Sequence, residues 1–154
     1  MNDLLRDYGH QVLVVEDCDE DFDTVMEAAR LGGVRHQLVR AASVDEARAC
    51  LAAAEPGAFA FMLLDCSLPG EDGLALLQEA RRDARHASLP VVVLTTSISP
   101  RDRNAFYAAG ANAYHGKSVR YDESLDTLQH LFSYWLRQVI LPVPRNLAAM
   151  DVPL

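Results

Sequence analysis

Five polar side chains stand where apolar runs of this sequence end. The acid pair Glu16-Asp17 follows QVLVV, Asp65 follows FAFMLL, Thr95 closes VVVLT, and Lys117 lies shortly after Tyr114. Burying a carboxylate such as Asp65 is costly unless something pairs with it. Carboxylates crowded together repel, and a hard divalent cation is the usual remedy at neutral pH. Mg²⁺ takes one or two carboxylates, a backbone carbonyl and several waters. One carboxylate oxygen then remains free as a nucleophile, and aspartyl phosphate is a known product of such nucleophiles. A hydroxyl and an ammonium nearby would hold the phosphoryl oxygens and offset their charge. Taken singly, each residue has a plainer reading: a solvated turn for Glu16-Asp17, a cap or turn for Asp65, a strand-end hydroxyl for Thr95, a surface charge for Lys117. Their order along successive strand ends (acid, acid, hydroxyl, lysine) is what singles them out.

The elements that must position them alternate. The β-branched run Gln11 to Val15 reads as a buried strand. Asp19 to Leu31 follows at helical spacing with Phe22, Val25, Met26 and Ala29 on one side, and Gly32-Gly33 stops it. His36 to Arg40 is a weaker strand. Ser43, with Glu46 three residues on, forms a capping box for a helix to about Ala54. Phe59 to Leu64 is a strand buried on both faces, and Asp72 to about Arg82 a helix. VVVLTTS is the strongest strand signal, Pro100 to Ala109 a short helix, Asn112 to His115 a short strand, and Asp122 to about Leu141 a long final helix. Apolar strands that each precede a helix predict a parallel sheet covered on both faces, one doubly wound α/β domain over 1–141 with a tail at 142–154. In such sheets ligands bind at the carboxyl ends of the strands.

At 154 residues, half of them hydrophobic, the chain fits one domain. A net charge of −8 argues against nucleic acid or an anionic membrane as partner. No segment approaches the roughly 20 apolar residues of a membrane span, and the acidic N-terminus carries no export pattern, so a cytoplasmic location is expected. Cys18, Cys50 and Cys66 have no metal-ligand spacing and read as reduced thiols.

The combination VLVVEDCDED, MLLDCSLPGEDG, VVVLTTS and AGANAYHGKS resembles the receiver domain of two-component response regulators, over roughly residues 10 to 140. The resemblance implies a flavodoxin-like (βα)5 fold with strand order 2-1-3-4-5. It implies that Asp65 accepts a phosphoryl group from a histidine kinase. Asp17, Asp65 and the backbone carbonyl of Ser67 would ligate Mg²⁺, with Glu16 acting through water. Thr95 and Lys117 would bind the phosphoryl oxygens. Tyr114 would be the aromatic switch that responds to Thr95 and alters the surface of helix four, strand five and helix five. The family usually follows this lysine with a cis proline, whereas Ser118 stands here, so the peptide is either trans with a reshaped loop or a strained cis bond.

No DNA-binding or enzymatic module is expected beyond the receiver, so the protein is read as a single-domain response regulator and not an enzyme. Leu125, Leu128, Leu131, Phe132, Trp135, Leu136, Val139 and Ile140 spread wider than the stripe of about 100° that one core contact needs. Trp135, Phe132, Leu136 and Val139 are therefore expected to face a second copy or a partner. FSYWLRQVILP and VVVLTTS also resemble the small regulators associated with bacterial phytochromes, which implies a phytochrome-type kinase and pairing through this end. The alternative is a receiver-like interaction module that is not phosphorylated. A haloacid-dehalogenase-like hydrolase would want an acid where Ser67 stands, and a flavodoxin-like cofactor binder would want a phosphate-cradling loop where the acids stand.

Overall fold

The computed structural model describes residues 9–66 and 72–143. Five strands, β1 (Gln11–Val15), β2 (Gln37–Ala41), β3 (Phe59–Asp65), β4 (Val91–Thr95) and β5 (Ala113–Gly116), form one sheet in the order β2-β1-β3-β4-β5. All neighbours are parallel. This is the doubly wound parallel sheet that the alternation predicts, in the flavodoxin-like strand order that the resemblance implies.

The helices α1 (Asp19–Leu31), α2 (Val44–Ala53), α3 (Gly73–Arg82), α4 (Pro100–Ala108) and α5 (Tyr121–Ser133) are set by local chemistry. Three acids fill the first turn of α1, where the helix dipole favours negative charge. Gly33, at φ +66°, turns the chain away after α1. Ser43 Oγ accepts from the Glu46 N–H at 3.0 Å, and Glu46 Oε2 accepts from the Ala42 N–H at 2.6 Å. The Asp72 and Ser99 side chains cap α3 and α4 by accepting from the Ala75 and Asp102 N–H groups, and Pro100 opens α4 where its missing N–H costs nothing.

Side chains alternate across the strands and divide the core in two. Leu13, Val15, Met62, Leu64, Val91 and Val93 meet α2, α3 and Phe106 of α4. Val12, Val14, Phe61, Leu63, Val92 and Leu94 meet α1 and α5 on the other face. Met26, expected on the inner side of α1, is 43% exposed.

The final helix departs most from expectation. Regular α-helix ends at Ser133, a π-helical turn covers Tyr134–Gln138, and Val139 is extended. The Val139 N–H reaches back to Tyr134 O at 2.9 Å. The backbone then avoids helix ahead of Pro142, because a proline disfavours helical geometry in the residue before it. Most of the wide apolar stripe is used inside the molecule. Leu128, Leu131 and Phe132 are buried, and Leu125, Trp135 and Leu136 pack against the same core. Phe132, at 1% exposure, is enclosed by that core and is not available to a partner, contrary to expectation. Among the described residues no helix is long and apolar enough to cross a membrane. The tail beyond Val143 lies outside them.

Candidate functional site

The register of the sheet brings the strand ends together. Val15 lies opposite Leu64, so Glu16 comes level with Asp65. Asp65 pairs with Leu94, and Thr95 with Gly116, which puts Lys117 one step past the edge. Glu16, Asp65 and Thr95 are 3%, 3% and 2% exposed, whereas Asp17 is open to solvent. The Lys117 N–H donates to Thr95 O at 2.7 Å, tying the lysine backbone to the end of β4.

The Lys117 ammonium gathers the acids. Nζ donates to Asp65 Oδ2 at 2.7 Å, Asp21 Oδ2 at 2.9 Å and Glu16 Oε2 at 3.1 Å. Burial opposes the charge on Lys117, but the bonds to Asp65 and Asp21 more than compensate, so its pKa is raised. Glu16 is pushed up to about 8, first by burial, then by its hydrogen bond with Asp65 and by the Asp65 charge. Lys117 offsets only part of this.

Carboxylate oxygens of Glu16, Asp17 and Asp65 lie within 4.8 Å of one another. An all-oxygen set with one exposed member, and a buried acid pushed toward its neutral form by crowding, fits a hard divalent cation. Ser67, expected to add its carbonyl, lies outside the described residues.

Arg40 braces the acid turn. Its guanidinium donates to the carbonyls of Glu16 (3.0 Å) and Asp17 (3.2 Å), pairs with Asp19 at 2.7 Å, and lies over the Phe22 ring. Ser97 is a second brace. Its N–H donates to Thr95 Oγ1 at 3.0 Å, its carbonyl accepts from the Tyr114 hydroxyl at 3.2 Å, and its own hydroxyl donates to Asp102 of α4 at 2.7 Å. Tyr114 is half-buried, with its ring 6.0 Å from that of Phe106. One loop thus touches the hydroxyl of the site, the aromatic on β5 and the first turn of α4.

The Lys117–Ser118 peptide is trans. Ser118 holds the β5–α5 loop by hydrogen bonds. Its hydroxyl donates to Glu123 Oε2 at 2.6 Å and accepts from the Arg120 N–H at 3.1 Å, while its carbonyl accepts from the Ser124 hydroxyl at 3.1 Å. Glu16, Asp17, Asp65, Thr95 and Lys117 therefore meet at one edge, with Tyr114 joined to them through Ser97. Trp135 and Leu136 lie in the π-helical turn that follows α5, and Val139 in the extended segment after it, away from these strand ends. Asp21 and Arg40 are the contacts at this edge that spacing did not single out.

Comparison with known proteins gives the same picture. The family described as response regulator receiver domain matches residues 12–129. Response regulator Rcp1 of Synechocystis sp. is 32% identical over 137 residues, covering 85% of this chain and 92% of that protein. Among solved structures, the phosphorylated cyanobacterial phytochrome response regulator RcpA superposes with a TM-score of 0.80 at 30% identity, covering 88% of this chain and 99% of that one. The Mn²⁺-bound form of Rcp1 gives a TM-score of 0.79 at 31% identity, covering 86% and 99%.

Proposed function

The chain belongs to the response regulator receiver family, and from that premise we propose that Asp65 accepts a phosphoryl group from a sensor histidine kinase. The observation that carries this is the Lys117 ammonium 2.7 Å from Asp65, beside Glu16 and Asp17 carboxylates within 4.8 Å. An Asp65 oxygen attacks the phosphorus of a phosphohistidine, the P–N bond breaks, and the electron pair leaves on the imidazole. The acyl phosphate so formed adds nearly two negative charges at the strand edge. Lys117 and the Thr95 hydroxyl bind its oxygens. Mg²⁺, held by Asp17 and Asp65 with the Ser67 carbonyl and with Glu16 through water, would neutralise charge developing on the transferred group.

The response spreads from Thr95. Drawing its hydroxyl toward the phosphoryl group competes with the bond from Ser97, and Ser97 also holds Tyr114 and α4. The surface of α4, β5 and α5 is then the output. RcpA is named as a phytochrome response regulator, and on that likeness we assign a phytochrome-type kinase as the donor. We further assign residues 1–141 to the receiver and 142–154 to a tail, a cytoplasmic location, no enzymatic activity of its own, and a homodimer through the end of α5. Trp135, Leu136 and Val139 are half-buried there beside Tyr134 and Ile140, which are 57% and 93% exposed.

The test is incubation with Mg²⁺ and acetyl phosphate, followed by intact mass. One Mg²⁺-dependent phosphoryl adduct is expected, and none on Asp65→Asn. No adduct with any donor would favour the interaction module that works without phosphorylation.

A further inference from the structure

Lysine has three N–H donors, and all three are engaged: two by the buried carboxylates of Glu16 and Asp65, the third by Asp21. Asp21 differs from the other two. It sits in the first turn of α1 rather than at a strand end, and its side chain is 52% exposed against 4% for each of theirs. A cleft runs between α1 and the β5–α5 loop, lined by Glu20, Asp21, Thr24, Lys117, Ser118 and Tyr121 among others. The Asp21–Lys117 pair bridges its walls, which no backbone hydrogen bond does at this point.

Resting on the receiver chemistry above, we infer that Asp21 is a positioning residue, a latch that occupies one Lys117 donor in the resting state and gives it up to the phosphoryl oxygens. Of the three partners it is the one that water can take over on release, because its carboxylate is already half exposed, whereas releasing Glu16 or Asp65 would leave a buried polar group short of a donor. Phosphoryl binding and the α1–Lys117 tie thus compete for one N–H. Phosphorylation frees α1 from the β5–α5 loop at that edge, and whatever stabilises the tie shortens the hold on the phosphoryl group.

Beryllium trifluoride with Mg²⁺, a phosphoryl mimic, measures the competition by fluorine NMR on the full chain. Asp21→Asn is expected to bind the mimic about two- to fivefold tighter than wild type, the scale of an exposed ion pair. Asp21→Glu, which can still reach Lys117, is expected to restore the wild-type affinity. Glu20→Gln removes a neighbouring charge from the same turn without touching Lys117 and is expected to change nothing. Equal tightening by Glu20→Gln and Asp21→Asn would overturn the latch in favour of general charge repulsion. Unchanged binding by Asp21→Asn would overturn it outright. Failure of wild type to bind the mimic at all would instead overturn the receiver chemistry, and the latch with it.

Discussion

Glu16 turns the crowding at the strand edge into a measurable pH dependence. Without a cation, the folded protein keeps its proton up to about pH 8, whereas the unfolded chain loses it near 4.5. Between those values the folded state binds more protons, so this group makes stability fall as pH rises. A cation needs the carboxylate ionised, so binding must expel that proton. Mg²⁺ affinity is therefore expected to climb with pH through this window and level off above it, with proton release seen by calorimetry in buffers of different ionisation enthalpy. Glu16→Gln should remove both the slope and the released proton. Ser97 supports a second expectation. Ser97→Ala keeps both backbone bonds but loses the tie to Asp102, so phosphorylation should proceed while hydrogen exchange at the start of α4 rises in both states. The five principal site residues were legible because each stands at or just past the end of a strand-like run, a local pattern. Asp21 and Arg40 were not, since their roles come from neighbours brought in by the fold; Asp21 meets Lys117 across 96 positions.

Helix starts were legible for the same local reason: Ser43 with Glu46, Asp72 and Ser99-Pro100 carry their capping partners within a few residues. The end of α5 was not. Its apolar periodicity continues to Ile140, but the backbone passes into a π-turn from Tyr134, and packing against Phe61 rather than period decides where the side chains point. Arg81 shows the same limit. It looks like a surface charge at the end of α3, yet it donates to the carbonyls of Gly110 (2.7 Å) and Leu89 (2.7 Å) and to Asn112 Oδ1 (3.0 Å). It thereby pins the turns that lead into β4 and into β5. Gly110 makes room for it, with φ +104° and the guanidinium Nε 2.7 Å from where a Cβ would stand. Arg81→Ala is expected to cost about 3 kcal/mol, because charge-assisted bonds are lost and half-buried carbonyls lose their donor. Urea unfolding with an unchanged slope would measure it.

At the scale of the whole molecule, both sheet faces are covered by helices and only the strand ends are free for chemistry. The carboxyl ends hold the acids and Lys117, while the opposite end collects the apolar groups that the core leaves over. Because Leu128, Leu131 and Phe132 are buried in the core and Leu125, Trp135 and Leu136 give it part of their surface, a dimer at this end draws on their open edges and on what remains. Tyr134 and Ile140, at 57% and 93% exposed, are the prominent remainder, with Val143 at 48% nearby. A two-fold interface uses each residue twice, and fully burying an isoleucine side chain contributes about 1.5–3 kcal/mol. Ile140→Asp is therefore expected to weaken self-association at least about tenfold and leave the unfolding midpoint of the monomer unchanged, since the side chain is already in water. Leu131→Ala, by contrast, should lower stability by about 2–5 kcal/mol through a core cavity. Sedimentation across a concentration series, run beside urea unfolding, separates the two. A dimer indifferent to Ile140→Asp would move the contact to another face, and Tyr121 on α5 and Tyr107 on α4, 59% and 47% exposed, are the aromatic groups open there on the output surface.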